Sequence, residues 1–196
     1  MRSIVLDLET TGLFVKDGHR ITEVGIVELW NNKPTGKTLH YHINPERDVP
    51  PEITELTSLT EKFLSDKPKF NQVAQEIRDF IGNDTIVITC RQHDDYTLDI
   101  AFLNAELDES AVDRPIPPKQ WLNVRPWSEK MFGHEGAKLD NVLDHYGVDR
   151  NERINQGHSA LLDVLLLAKV YPQLLADYQK FQYYQNPPSG KKGPSL

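Results

Sequence analysis

The sequence predicts an α/β domain, because strand-like and helix-like segments alternate along most of the chain and the length suits one hydrophobic core. Its 196 residues are enough for a single domain and a short tail. A helical bundle would lack the strand-like segments, and a β-sandwich would lack the helical spacing. The chain shows no internal repeat.

An antiparallel meander of three strands is predicted at the start of the chain. The apolar run Ile4-Val5-Leu6 marks the first strand, and the segment from Ile21 to Trp30, with apolar residues on both faces, marks the second. The segment from Asn31 to Gly36 has the composition of a turn. The segment from Thr38 to Ile43 then forms the third strand.

Helices and a further strand are predicted after the meander. The first helix follows from the spacing of its apolar residues and from Gly82, which is typical of a helix end. The predicted elements are, in order, a helix over 70–81, a strand over 85–89, and helices over 96–107, 139–146 and 159–178. Residues 1–180 are therefore assigned to the domain. Residues 181–196, many of them Pro, Gly and Ser, are assigned to a flexible C-terminal tail.

Composition and charge limit the classes of protein and of partner. The net charge of −7 offers no basic footprint for nucleic acid, so bound cations would have to carry part of any attraction to phosphate. Cys90 is the single cysteine, which excludes a disulfide framework and a cysteine zinc site and is typical of a reducing compartment. The start at Met1-Arg2-Ser3 has no apolar signal segment, and no stretch approaches the roughly 18 apolar residues of a membrane span. We therefore expect a soluble, cytoplasmic protein that binds no membrane.

Two carboxylates at the end of the first strand are the strongest functional signal. Asp7 and Glu9 are two residues apart, so on a strand their side chains share a face. Like charges held this close repel each other unless a cation lies between them, and Mg²⁺ and Mn²⁺ prefer oxygen ligands. The alternative is an ordinary polar turn in which Glu9 is solvated. The motif alone leaves both interpretations open.

A third carboxylate, Asp99, lies within the predicted helix over 96–107. At about 100° per residue its side chain falls between Phe102 and Leu103, which are expected to anchor the helix in the core. A carboxylate on an apolar face loses several kcal/mol to desolvation unless a cation compensates. The alternative is a slightly rotated helix with Asp99 at its boundary.

His158 and Asp163 flank the start of the last predicted helix. On one continuous helix they would lie about 140° apart, so we expect His158 on the loop that enters the helix. Asp163 is expected in the first turn, where the helix dipole favours a carboxylate. Histidine titrates near neutral pH and is suited to act as a general base. The alternative for His158 is a structural role.

Taken together, the three motifs resemble the signature of the DEDDh 3′ to 5′ exonucleases of the DnaQ type. The residues that carry the resemblance are Asp7, Glu9, Asp99, His158 and Asp163. The likeness extends from Met1 to about Tyr178 and includes the segment from Gly18 to Gly25. It implies a ribonuclease H-like α/β fold, with a mixed five-stranded sheet flanked by helices. The strands and helices predicted above agree with that fold.

The resemblance also implies roles for individual residues. The carboxylates Asp7, Glu9, Asp99 and Asp163 would hold two Mg²⁺ or Mn²⁺ ions, and His158 would be the base that acts on the attacking water. The positions that match the substrate site of the family are Thr10, Thr11, Gly12, Leu13, Glu52 and Thr57. Two metal ions activate a water and stabilise the leaving oxygen in a displacement at phosphorus.

Two segments depart from the family pattern. The segment from Thr89 to Leu98 is longer than the family's second motif and lacks its Asn and Phe, although Asp99 is followed by the expected residues 100–103. Ser58 stands where the family has Gly, so we expect a stiffer loop there. The resemblance therefore keeps Asp99 as a metal ligand and leaves the neighbouring part of the substrate site open.

We therefore expect the chain to be a metal-dependent enzyme that removes nucleotides from the 3′ end of single-stranded DNA and releases nucleoside monophosphates. Proofreading or repair is the expected setting, with a DNA polymerase as a candidate partner. Two alternatives stay open, namely an exoribonuclease that trims RNA ends and an inactive nuclease-like module that binds a polymerase. The presence of all five active-site residues favours an enzyme, because a binding module needs no cluster of carboxylates.

Overall fold

The computed structural model describes residues 1–90, 92–93 and 96–186, and these residues form a sheet covered by helices on both faces. The strands are β1 (Arg2–Thr10), β2 (Ile21–Trp30), β3 (Lys33–His42), β4 (Thr85–Ile88), β5 (Gln92–His93), β6 (Tyr96–Thr97) and β7 (Trp121–Asn123). The helices are α1 (Pro51–Thr57), α2 (Glu61–Leu64), α3 (Phe70–Ile81), α4 (Leu98–Glu109), α5 (Arg125–Gly136), α6 (Leu139–His145), α7 (Asn151–Gln156) and α8 (Ala160–Gln185).

The main sheet has five strands in the order β3-β2-β1-β4-β7. β1 and β3 pair with β2 in antiparallel fashion, and β4 pairs in parallel with β1 and β7. The expected mixed five-stranded sheet is therefore confirmed. β5 and β6 form a separate two-stranded ribbon.

The two faces of the sheet bury two separate hydrophobic cores. Alternate residues of β1 point to opposite faces, so Ile4 and Leu6 pack with α3 and α4 while Val5 packs with α8. Nine of the ten residues of β2 are buried, which explains why its sequence is apolar on both faces. α8 crosses β2 and β1, and its first turn therefore lies beside the end of β1 that carries Asp7 and Glu9.

Gly25 lets α8 approach the sheet closely. A Cβ atom at this position of β2 would collide with the backbone of Ala160, the first residue of α8. The contact fixes where the helix begins, and so it fixes the height of Asp163 above the sheet.

Several element boundaries differ from the sequence-based expectation. The turn predicted over 31–36 consists of Asn31 and Asn32 alone, whose φ angles of 50° and 64° suit a two-residue hairpin, so β3 begins at Lys33. α4 begins at Leu98, because β6 occupies residues 96 and 97. The strand β7 was not predicted, since three residues carry too short a pattern.

The last helix is longer than expected. α8 continues to Gln185 instead of ending near Tyr178, and it therefore includes the first residues of the segment predicted as a tail. The remainder of that segment, residues 187–196, lies outside the described residues. Within the part of the chain that the structure describes, no helix has the length and apolar character needed to cross a membrane.

Candidate active site

The five residues of the predicted signature line one cavity of about 510 Å³. Asp7 and Glu9 come from β1, Asp99 from α4, Asp163 from α8, and His158 from the loop before α8. Elements far apart in sequence thus deliver their polar side chains to a single place. The structure brings together every residue predicted as catalytic or as a metal ligand.

Secondary structure fixes each of these side chains. Asp99 and Asp163 lie in the first turns of their helices and are 2% and 6% exposed. His158 lies on the loop between α7 and α8, where the sequence predicted it, and its backbone N–H donates to the carbonyl of Leu56 at 3.0 Å. Polar atoms of Glu9, His158 and Asp163 all lie within 4.8 Å of one another.

The electrostatics of the cavity strongly disfavour so many negative charges. Burial raises the pKa of Asp7 well above its ordinary value, and repulsion from Asp99 and Asp163 raises it further. Burial and the neighbouring carboxylates, Asp163 first among them, likewise raise the pKa of Glu9. Burial raises the pKa of Asp99 to about 7, against a hydrogen bond from Cys90 that lowers it. A cation bound among these groups would relieve the repulsion.

The donor set fits a hard divalent cation. The four predicted metal ligands all offer carboxylate oxygens, the ligand type that Mg²⁺ and Mn²⁺ prefer. Within the described part of the chain, Asp99 Oδ2 is a buried oxygen with no hydrogen-bond partner. A buried acceptor without a partner carries a desolvation penalty, and coordination to a metal ion would remove it.

Arg153 is a functional residue that sequence reasoning missed. It lies on α7, is 8% exposed and lines the cavity. Its Nε donates to Asp163 Oδ1 at 2.6 Å, its Nη2 donates to Asp163 Oδ2 at 3.0 Å, and its Nη1 donates to Asp140 Oδ1 at 2.6 Å. The Nη2 atom also lies 3.0 Å from His158 Nδ1. A protein cation therefore contacts both a proposed metal ligand and the proposed base.

The turn after β1 uses its predicted substrate residues internally. Thr10 Oγ1 donates to the carbonyl of Gly12 at 2.6 Å, and Thr11 Oγ1 lies 3.0 Å from the backbone nitrogen of Arg20, which donates to it. A Cβ atom at Gly12 would collide with the ring of His19, so the close approach that needs this glycine is made by a side chain of the protein. These hydroxyls therefore shape the turn itself.

The other predicted substrate residues occupy different surroundings. Leu13 lines the cavity and is 64% exposed, so its side chain is available to a ligand. Glu52 and Thr57 lie on α1 and are not among the residues that line this cavity. Glu52 is exposed, whereas Thr57 is buried and its hydroxyl donates to the carbonyl of Ile53 at 2.8 Å.

Ser58 adopts a backbone conformation that favours glycine. It follows α1 with φ at 62° and ψ at 7°, in the left-handed region. This explains the Gly that the resemblance places at this position, because glycine reaches the region without strain. Two residues earlier, the carbonyl of Leu56 accepts the hydrogen bond from His158, so this turn helps to position the base.

Comparison with known sequences assigns the chain to a family. A family model described as Exonuclease matches residues 4–171. The chain is 35% identical over 181 residues to the DNA polymerase III subunit epsilon of Rickettsia felis, covering 91% of this chain and 76% of that protein. It is also 35% identical over 178 residues to the subunit of the same name from Escherichia coli strain K12, covering 87% of this chain and 70% of that protein.

Solved structures agree on the fold. The nuclease domain of 3′hExo, described as a DEDDh family member bound to rAMP, has a TM-score of 0.69 at 21% identity, covering 90% of this chain and 92% of that chain. Exonuclease X, solved with 5′ overhanging duplex DNA, has a TM-score of 0.59 at 19% identity, covering 96% of this chain and 93% of that chain. The family match and the cluster of five residues lead to one conclusion: the chain belongs to the exonuclease family and is a 3′ to 5′ exonuclease of the DEDDh type.

Proposed function

We propose that this exonuclease removes nucleotides from the 3′ end of single-stranded DNA and releases nucleoside monophosphates during proofreading. The observation that carries the proposal is the convergence of Asp7, Glu9, Asp99, His158 and Asp163 on one cavity. The sequence relatives support DNA as the substrate, because they are named as subunits of a DNA polymerase.

The four carboxylates would hold two divalent ions, Mg²⁺ or Mn²⁺. When bound, such ions supply Lewis-acid stabilisation of the charge that develops on the phosphate oxygens during displacement. Asp7 and Glu9 present their oxygens from a rigid strand, and Asp99 and Asp163 present theirs from helix starts. This rigidity preorganises the ligands, so little reorganisation is needed at the moment of reaction.

His158 would take the proton of the attacking water. Burial and the positive charge of Arg153 lower the pKa of His158, against Asp163 and Asp140 that raise it, and the lowered pKa favours the neutral ring that a base requires. A guanidinium only donates, so the contact with Arg153 assigns the acceptor role to Nδ1. The contact between Arg153 and Nδ1 must therefore break before Nδ1 accepts a proton from water.

The chain is also proposed to act beside a DNA polymerase. The support is the name of its relatives, which are epsilon subunits of DNA polymerase III and of which this chain covers 70% or more in the two cases given above. A proofreading nuclease needs the 3′ end that a polymerase has just extended, so a physical association would shorten the transfer of that end.

Hydrolysis of matched strands tests the proposed substrate. DNA and RNA single strands of one sequence, labelled at the 3′ end or at the 5′ end, are incubated with Mg²⁺, Mn²⁺ or EDTA. We expect early release of labelled mononucleotide from 3′-labelled DNA, with slower release from RNA. Faster release from RNA would replace the proposal with an exoribonuclease. Absence of release from both polymers would favour the binding module.

The base assignment has its own matched variants. His158→Ala is expected to lower the rate of release by about 10²- to 10⁴-fold, the usual contribution of a general base. His134→Ala is the control, because this histidine is exposed and its ring contacts Glu129 on the surface of α5. Equal rates for the two variants would remove His158 from the mechanism.

A further inference from the structure

A second cluster of potential metal ligands lies on the sheet beside the catalytic cavity. Glu23 is on β2, and His40 and His42 are on β3. The two histidines are two residues apart and so share a face of the sheet, and Glu23 pairs directly with His42 across the two strands. All three side chains therefore meet on one face.

The ligand atoms of this cluster lie close to the spacing that a tetrahedral ion requires. Glu23 Oε1 lies 2.8 Å from His40 Nε2 and 3.9 Å from His42 Nε2, and the three atoms lie within 4.8 Å of one another. Zinc bonds of about 2.0–2.1 Å to nitrogen and oxygen separate neighbouring ligand atoms by about 3.3 Å in a tetrahedron. The observed distances of 2.8 and 3.9 Å lie on either side of that value.

The chemistry of the cluster differs from that of the catalytic cavity. Two imidazoles and one carboxylate form a nitrogen-rich set, which suits Zn²⁺ better than Mg²⁺. Burial lowers the pKa of His42, and the neighbouring His40 and Lys67 lower it too, against Glu23 that raises it. A neutral imidazole is the form that binds a metal.

Glu23 is already held in place by the helix that carries the catalytic residues. Its Oε1 accepts from Ser159 Oγ at 2.9 Å and from the backbone nitrogen of Leu161 at 3.4 Å. Glu23 is 1% exposed, and the histidines are each 29% exposed, so the open side of the cluster faces solvent. Second-sphere hydrogen bonds of this kind orient a carboxylate ligand, and the exposed side leaves room for water as a fourth ligand.

We propose that Glu23, His40 and His42 form a binding site for Zn²⁺, separate from the catalytic carboxylates. The ion would join β2 to β3 and, through Glu23, to the first turn of α8. Glu23 Oε1 already accepts from His40, Ser159 and Leu161, so the need to satisfy the buried carboxylate does not explain why a second histidine approaches the same oxygen.

Calorimetric titration with Zn²⁺ in the presence of excess Mg²⁺, which competes for the oxygen ligands of the catalytic cavity, tests the site. The background is a protein with His158→Gln, because His158, Glu9 and Asp163 form another group able to hold a metal. We expect this background to bind one more Zn²⁺ per chain than the same protein with His42→Phe. His42→Phe should weaken that binding by more than about 100-fold, since even the loss of a second-sphere partner costs 10- to 100-fold.

Two comparisons keep the result interpretable. His42→Phe preserves an aromatic ring against Phe63, which His42 contacts edge-on with 4.9 Å between ring centroids. His134→Phe removes an exposed histidine elsewhere and should leave Zn²⁺ binding unchanged.

Co²⁺ absorption then reports the ligands, because a nitrogen-ligated tetrahedral ion gives intense visible bands that His42→Phe should abolish. Equal Zn²⁺ affinity in His42→Phe and its parent, or the absence of any Zn²⁺ binding in the parent, would overturn the proposal.

Discussion

Both carboxylate oxygens of Asp163 accept hydrogen bonds from the guanidinium of Arg153, at 2.6 Å from Nε and 3.0 Å from Nη2. Asp163 would have to offer these same oxygens to a bound metal ion. Arg153 and a bound metal ion therefore compete for Asp163. Asp140, which also accepts from Arg153, gives the guanidinium a second partner when it leaves Asp163.

Replacement of Arg153 is expected to make stability depend on metal. Arg153→Gln leaves buried carboxylates without a compensating charge, which costs on the order of 3 kcal/mol in EDTA. Mg²⁺ should recover much of that loss, because it supplies the missing positive charge. Thermal unfolding of the variant and the wild type, each with EDTA and with Mg²⁺, measures both effects.

Arg150→Gln is the matched control for this prediction. Arg150 belongs to the same segment and pairs with the exposed Asp144 at 2.7 Å and with the half-buried Asp140 at 3.5 Å. Exposed pairs of this kind contribute about 0–1 kcal/mol, and the loss should not respond to Mg²⁺. A loss in Arg153→Gln that is equally large with and without Mg²⁺ would show that the arginine is purely structural.

The raised pKa of Asp99 predicts how stability changes with pH in the absence of metal. Its folded-state pKa of about 7 lies above the ordinary Asp value of about 3.9, so the folded protein binds more protons between these two values. The stability contributed by the protonated group is present at low pH and is lost as pH rises through 7. Asp99→Asn in EDTA should therefore be more stable than wild type at pH 8, by on the order of 2 kcal/mol, with a smaller difference at pH 5.

Asp108→Asn on the same helix is the control for Asp99→Asn. Asp108 is exposed, so its replacement should change the free energy of unfolding by less than about 0.5 kcal/mol at either pH. Chemical denaturation of wild type and of both variants at pH 5 and pH 8 gives the four differences in free energy of unfolding. Destabilisation of Asp99→Asn at pH 8 in EDTA would contradict the electrostatic description of the cavity.

Gly25 predicts that the catalytic residues depend on close packing of α8. Gly25→Ala forces the start of this helix away from β2, because the added Cβ collides with the backbone of Ala160. We expect lower activity per folded molecule as Asp163 moves from Asp7 and Glu9, and displacements of about 1 Å can cost 10²-fold. Activity normalised to the folded fraction measures this effect.

Gly36→Ala separates that displacement from a simple loss of stability. Gly36 has φ at 91° and no heavy atom within 4 Å of an added Cβ, so alanine there strains the backbone of β3 without moving α8. Its activity per folded molecule should match wild type. A similar fall in both glycine variants would show that the packing of Gly25 has no special part in the site.

Ser58 offers a stabilising substitution. Its φ of 62° costs a non-glycine residue about 1 kcal/mol, so Ser58→Gly should raise the free energy of unfolding by about 0.5–1 kcal/mol. Ser110→Gly is the control, because Ser110 also follows a helix but has φ at −84°. Glycine there relieves no strain and only raises the backbone entropy of the unfolded state, so this variant should not be stabilised. Destabilisation by Ser58→Gly would mean that the serine side chain contributes more than the strain costs.

The sequence predicted the five signature residues because their signals are local. Asp7 and Glu9 sit at strand spacing, and His158 precedes a helix that carries Asp163 in its first turn. The family resemblance then joined these signals to Asp99. The antiparallel pairing of β1 and β2 was likewise predictable, because their apolar patterns are long and clear, whereas the mixed five-stranded sheet followed from the family resemblance.

The missed features depend on side-chain contacts that the sequence pattern does not show. Arg153 lies in a short polar helix whose sequence does not reveal that its partners are ten and thirteen residues away. In the sequence, Glu23 is a polar residue within an apolar strand. Only the folded structure shows that its carboxylate accepts a hydrogen bond from Ser159, 136 residues later. Thr10 and Thr11 match the family's substrate segment, yet the turn they form uses their hydroxyls within the protein.

The most direct test of the central claim is the rate at which wild type and Asp7→Asn release the terminal nucleotide of a 3′-labelled DNA strand, with Mg²⁺ and with EDTA. Release by wild type should require Mg²⁺. Asp7→Asn should be slower by at least about 100-fold, because the charge stabilisation supplied by the metal is worth several kcal/mol. Release in EDTA, or release by Asp7→Asn at the wild-type rate, would contradict a metal-dependent centre built on these carboxylates.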